Sequence, residues 1–284
     1  MIITLAKVAT EFLDRETLKQ NTLRSYEATL LPLLERYGRS PIQSLTRPVL
    51  EDYLSSLNHL SWSTYNRHQS IIQALFTFAV DRGYLHYSPI AHLKRRKSDK
   101  NQQSSIKISY LTPDNLKLLY DLLEPNSRLH TLILLLHRTG ATVTEILALD
   151  LEQMNLRDRV FPVFNKSQKQ RWCSYDEAVA DVLANYLRLY RHSGHPALFT
   201  AQQPFSKVIS RLSYRAAYQD WKDIIIQSPT LQNFRLQDLR HTFAMERIGA
   251  IGIEALKDLM GHESLQTTMQ YLKSSSQHLP RSHQ

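Results

Sequence analysis

The stretch KRRKSDKNQQSSIKIS, Lys94–Ser109, most limits the folds open to this chain. It carries almost nothing apolar and separates two regions of regular hydrophobic periodicity, so one continuous core cannot run through it. The expected arrangement is two units joined by an exposed linker. With 284 residues, each unit has enough chain for its own core. The expected boundaries are 1–93 for the first unit, 94–109 for the linker and 110–284 for the second.

Helical periodicity fills the first unit. TLRSYEATLLPLLERYG places Leu23, Tyr26, Leu30, Leu33, Leu34 and Tyr37 at intervals of three and four and stops at Gly38. Thr46 ahead of Pro48 is a start signal. STYNRHQSIIQALFTFAVDRG predicts a helix from a Ser/Thr cap to Gly83, with Ile71, Ile72, Leu75, Phe76 and Ala79 on one face. A four-helix module with short turns is expected.

The second unit opens with Thr112 capping a helix at Pro113, and LHTLILLLHRTG then reads as a buried helix ending at Gly140. RVFPVFNKSQKQRWCSY alternates, turns through a polar tip and alternates again, which predicts a β-hairpin. The remainder reads as helical apart from a loop through HSGHPALFTAQQP. The expected class is therefore mainly α with a small β-sheet, a helical N-terminal domain followed by an α+β domain.

Several functions are disfavoured by what the sequence lacks. No apolar run approaches the ~18 to 20 residues that span a bilayer. The opening segment turns acidic by Glu11 and reads as an amphipathic helix rather than a signal peptide. A single cysteine, Cys173, rules out an internal disulfide and a cysteine-rich zinc site, which fits a reducing cytoplasm. Neither G-x-x-x-x-G-K-[ST] nor G-x-G-x-x-G occurs, so no nucleotide cofactor is expected. His192 and His195 stand i, i+3 in the loop with no carboxylates near them and read as surface histidines, so no metal is expected. The formal charge of +9 makes a polyanion the first partner to consider. Residues 1–109 hold fifteen Lys/Arg against nine Asp/Glu.

Four stretches can carry chemistry. In TGATVTEI, Thr139–Ile146, Thr142 and Glu145 have the spacing of a capping box. LRHTFA carries Arg240 and His241, LMGHESLQTTMQYL carries His262 and Tyr271, and the hairpin tip FNKSQKQR carries Lys166. Taken singly, each has an ordinary explanation as a surface charge, a loop residue or a packed aromatic. In combination they resemble the tyrosine recombinase family of phage integrases and Xer-type resolvases. MGHESLQTTMQY matches L-G-H-x-S-x-x-T-T-x-x-Y in order and spacing, LRHTFA matches L-R-H-x-F-A, and NKSQKQR is similar to G-K-G-x-K-x-R. The first unit is similar to the family's helical core-binding domain.

The resemblance implies a site-specific recombinase without cofactor, acting on double-stranded DNA as a homotetramer on paired sites, monomeric when free, cytoplasmic and nucleoid-associated. Tyr271 would attack a phosphodiester, giving a phosphotyrosyl link and a free 5′-hydroxyl, so that resealing needs no ATP. Arg240 would clamp a nonbridging oxygen, Lys166 would protonate the leaving 5′-oxygen, and His262 would donate to the phosphate.

The family's first arginine, in T-G-x-R-x-x-E, falls on Thr142, and the histidine of H-x-L-R falls on Gln237. Arg138 and Arg171 are the cations near enough in sequence to compensate. Candidate DNA contacts are Arg24, Asn66 and Arg67 in the first unit and Arg211, Tyr214 and Arg215 in SRLSYRAAYQDW, similar to a family helix that enters the major groove. Two other functions fit the same pattern: a DNA-binding protein of this fold with an architectural or regulatory role, and a topoisomerase-like relaxase of single sites.

Overall fold

The computed structural model describes residues 3–16, 20–96, 108–125, 127–165 and 168–275. The chain divides into two compact units, 1–103 and 104–284.

The first unit is helical: α1 (Leu5–Leu13), α2 (Gln20–Tyr37), α3 (Arg47–Ser56) and α4 (Trp62–Asp81). The Thr4 side chain caps α1, and Leu5, Val8, Ala9 and Phe12 form the one apolar stripe that the helix buries. Phe12 stacks on Tyr26 and meets the edge of Phe78, with ring centroids 5.6 Å apart in both cases. Ile71, Ile72, Leu75, Phe76 and Ala79 of α4 are all buried, as their spacing predicts. The cap of α4 is Ser61, so the helix starts at Trp62, ahead of the serine and threonine that the sequence suggested. A second, polar row on α4 straps the segment that follows. Gln73 Nε2 donates to the Ile90 carbonyl, Gln69 Nε2 to that of Leu93, and Asn66 exchanges two 2.8 Å hydrogen bonds with the Arg96 backbone.

The second unit is built around α6 (Arg128–Thr139), which follows α5 (Pro113–Asp121). The helix buries Leu132, Ile133, Leu135 and Leu136 together with Thr131, His137 and Thr139, so it is covered on most of its circumference. Next come α7 (Val143–Ala148) and the hairpin of β1 (Val160–Phe164) and β2 (Gln170–Ser174). The strands are antiparallel, with Phe161 opposite Cys173 and Val163 opposite Arg171. Phe161, Val163 and Cys173 face the core, while Trp172 on the other face is exposed.

After α8 (Glu177–Leu189) the structure departs from the expected loop. Thr200–Gln202 and Ile209–Arg211 pair as a second antiparallel ladder, β3 and β4, each too short to show alternation in sequence. Then follow α9 (Tyr214–Ile225), α10 (Leu236–Arg247), α11 (Ile253–Met260) and α12 (Leu265–Ser275). α6 packs against α8, α9 and α10, and α11 packs against α12 and β2. Ile108, inside the stretch expected to be exposed, is buried in a small cluster with Phe243, Ala244, Leu256, Met260 and Tyr271. Among the described residues, no helix is long and apolar enough to cross a membrane.

Candidate active site

Two helices end on glycine at the centre of the second unit, and their ends converge. α6 stops at Gly140 (φ 64°) and α11 at Gly261 (φ 64°), both in the left-handed conformation that a Cβ opposes. Space requires glycine as well. A Cβ on Gly140 would lie 2.4 Å from the Phe243 ring, and one on Gly261 would lie 2.9 Å from the Arg171 side chain.

Arg240, on the second turn of α10, reaches both ends. Its Nη1 donates to the Gly140 carbonyl at 2.7 Å and its Nη2 to that of Met260 at 2.5 Å. A cation suits this place, because the last carbonyls of a helix carry the negative end of its dipole. Only 6% of Arg240 is exposed. Burial and the neighbouring Arg171 both pull its pKa down, although a guanidinium stays charged.

Thr142 caps α7. Its hydroxyl accepts from the Glu145 amide, and the Glu145 carboxylate accepts from the Thr142 amide at 2.7 Å, so the capping box read from the sequence is present. The same carboxylate has a second task. Arg171 of β2 grips it with two hydrogen bonds, Nη1 to Oε1 at 2.6 Å and Nη2 to Oε2 at 2.9 Å, and Arg240 lies 3.9 Å away. Burial pushes the Glu145 carboxyl up, but the Arg171 and Thr142 hydrogen bonds and both guanidinium charges outweigh it, and the net shift is downward.

His262 follows Gly261, with its Nδ1 2.8 Å from the hydroxyl of buried Thr268. Burial and the charges of Arg240 and Arg171 hold its pKa at about 4, so the ring is neutral at pH 7. In the tautomer whose Nδ1 accepts from the Thr268 hydroxyl, the ring presents an Nε2 donor. The Tyr271 ring stacks on His262 with centroids 6.3 Å apart and planes 3° from parallel. Tyr271 is 3% exposed, and its hydroxyl lies 2.8 Å from Nδ1 of His241. Burial, only partly offset by Arg240, drives its pKa up to about 12. The nucleophile candidate is thus held neutral and hydrogen-bonded. Burial also lowers the His241 pKa, so this ring is uncharged and fit to accept the tyrosine hydrogen.

The structure therefore gathers Thr142, Arg240, His262 and Tyr271 around one turn. Glu145, His241 and Arg171, one of the two cations considered as a substitute, join them. Gln237 is exposed on the first turn of α10, and Lys166 lies outside the described residues. Arg138 does not join the group. It pairs with Asp176 at 2.6 Å and, with Trp172, Tyr175 and Arg247, lines a cleft of about 410 Å³ that extends to Cys173, Phe243 and Leu259.

The other expected contacts fall into two kinds. Arg24, Arg67, Tyr214 and Arg215 are exposed on helices, with Tyr214 stacked on Tyr218. Asn66 is engaged with the Arg96 backbone. Arg211 lies in β4 rather than on a helix, and its guanidinium donates to the Leu147 and Leu149 carbonyls and to Asp150. His192 and His195 make local bonds, to the Thr200 hydroxyl and from the Ala197 amide. Among the described residues, no cluster of three or more potential metal ligands occurs.

Comparison with known proteins finds relatives for both units. The phage integrase family profile matches residues 109–278, and the profile of the phage integrase N-terminal SAM-like domain matches residues 10–83. The chain is 27% identical to tyrosine recombinase XerC of Neisseria meningitidis serogroup B, covering 95% of this chain and 91% of the relative. It is 26% identical to tyrosine recombinase XerD of Staphylococcus epidermidis, covering 89% and 88%. Two solved structures share the fold. One is the Tn1549 transposon integrase in complex with transposon right end DNA, with a TM-score of 0.77, 17% identity, and 97% and 98% coverage. The other is a lambda integrase dimer bound to a COC′ core site, with a TM-score of 0.76, 15% identity, and 99% coverage of both chains.

Proposed function

The chain belongs to the phage integrase family, and from that premise we propose that it is a site-specific DNA recombinase acting through Tyr271. The observation that carries this reading is the packing of Tyr271 on His262 beside Arg240, a nucleophile, a neutral donor and a fixed cation at one turn.

The Tyr271 hydroxyl oxygen attacks a DNA phosphorus and the bond to the 5′-oxygen breaks, leaving a 3′-phosphotyrosyl link and a 5′-hydroxyl. Tyrosine normally titrates near ~10, so its proton must be taken up and the developing phosphorane charge stabilised. His241 accepts the tyrosine hydrogen, Arg240 clamps a nonbridging oxygen, and His262 donates through Nε2. Lys166 delivers the proton that the leaving 5′-oxygen needs. The reverse attack by a 5′-hydroxyl of a second strand completes exchange without cofactor. The assembly is a homotetramer on paired duplex sites, formed from monomers, in the cytoplasm at the nucleoid. Arg24, Arg67, Tyr214 and Arg215 are the exposed side chains offered to the duplex.

An architectural DNA-binding protein of the same fold is the rival, favoured by the threonine at 142. Covalent trapping separates them. The protein is incubated with a pool of nicked duplexes from its own replicon and denatured, with Tyr271→Phe alongside. An adduct that vanishes in Tyr271→Phe is expected. Salt-sensitive specific binding without an adduct supports the rival.

A further inference from the structure

Thr142 supplies no charge, yet the site holds a second guanidinium. We propose that Arg171, reaching in from β2, binds the scissile phosphate in place of the arginine absent at position 142. This rests on the recombinase reading.

Three fixed points hold Arg171 where such a group is needed. Its Nε donates to the Leu259 carbonyl at 3.1 Å, its Nη1 and Nη2 chelate Glu145, and its side chain crosses Gly261, the residue before His262. Arg240 holds the next carbonyl of the same helix end, that of Met260, and approaches the same carboxylate. The two guanidinium groups are therefore anchored to one turn and one carboxylate. Arg171 donates to Leu259, twice to Glu145 and to the Cys173 sulfur, and Arg240 donates to two carbonyls; a guanidinium carries five N–H groups, so each exceeds the donors these described partners use.

Charge points the same way. Arg171, Arg240 and Glu145 sum to +1, with side chains only 10%, 7% and 9% exposed. Buried charge is costly without a counterion, and a phosphodiester brings the single negative charge that this cluster lacks. Arg138, the other nearby candidate, is bound to Asp176 with both side chains more than 40% exposed.

The test uses the full chain and a suicide duplex carrying a cleavage site recovered from a randomised pool by covalent trapping with the wild type. The duplex is made twice, with an ordinary scissile phosphate and with a neutral methylphosphonate. On the phosphodiester, Arg171→Ala is expected to slow adduct formation by roughly a hundred- to a thousandfold. On the methylphosphonate the deficit relative to wild type should shrink below about tenfold, because the charge that Arg171 opposes is gone. Arg171→Lys, which keeps a cation against Glu145, is expected to fall between and provides the reading if Arg171→Ala does not fold.

Variants with wild-type rates, or an equal deficit on both duplexes, would overturn the proposal while leaving Tyr271 chemistry intact. A wild type that forms no adduct at all would overturn the recombinase reading and this inference with it.

Discussion

Replacing Glu145 by glutamine keeps the shape of the side chain and removes its charge, which tests whether the buried cluster is organised as described. In the wild type the carboxylate accepts two hydrogen bonds from Arg171 and one from the Thr142 amide, with Arg240 3.9 Å away. A glutamine accepts through one oxygen and must turn its NH₂ toward a guanidinium, leaving two buried cations without a counter-charge. Removing one partner of a buried ion pair costs about 3 to 5 kcal/mol. The second unit spans 104–284; for a domain of that size the loss corresponds to a fall in melting temperature of roughly 6 to 20 °C. Calorimetry at pH 7 measures it directly. The pH dependence has a definite sign. The Glu145 pKa is depressed from its ordinary 4.5, so its stabilisation is fully present above that value and disappears as pH falls through the lower folded value. The gap between wild type and Glu145→Gln should therefore narrow on acidification below 4.5. A variant melting within about 1 °C of wild type at pH 7, or a gap that does not narrow, would refute the argument, because the carboxylate would then not be the neutralising centre of the cluster.

Three further variants have expected outcomes. Arg67→Ala should weaken DNA binding and reduce the slope of log affinity against log salt by about one, since an exposed cation on α4 contributes through a phosphate; Arg211→Ala should lower the melting temperature with the slope unchanged, because its donors go to Leu147, Leu149 and Asp150. Salt-titrated binding and thermal melts of both variants check this, and a reduced slope in Arg211→Ala would contradict it. His241→Ala leaves the buried Tyr271 hydroxyl without its acceptor and should cost about 1 to 3 kcal/mol by denaturant titration. The folded His241 pKa lies below 6.5, so wild-type adduct formation should decline only as pH drops through that lower value, and this acid limb should be missing in His241→Ala.

The parts of this molecule that depend on neighbours along the chain are legible in its sequence. The apolar face of α4, the Thr112 cap and the Thr142–Glu145 box follow from spacings of three and four residues, and each is present. β3 and β4 were not readable, because three-residue strands show no alternation and owe their pairing to the loop that joins them. The same limit explains the site. Arg240, His262 and Tyr271 lie in recognisable motifs, but the roles of Arg171 and His241 arise from partners far away in sequence. Arg171 finds Glu145 and Leu259, and His241 finds Tyr271 across the junction of α10 and α12. One signal did point to the first of these. Val163 and Arg171 face each other across the hairpin, and Val163 and Cys173 are buried on its inner face. Strand alternation therefore places Arg171 on the inner face with Cys173, where a buried charge calls for acceptors in the interior. Glu145 is the carboxylate it meets, held by both terminal nitrogens of Arg171. The glutamate and the hairpin arginine therefore form one unit, and the backbone amide of residue 142 orients the glutamate from its other side.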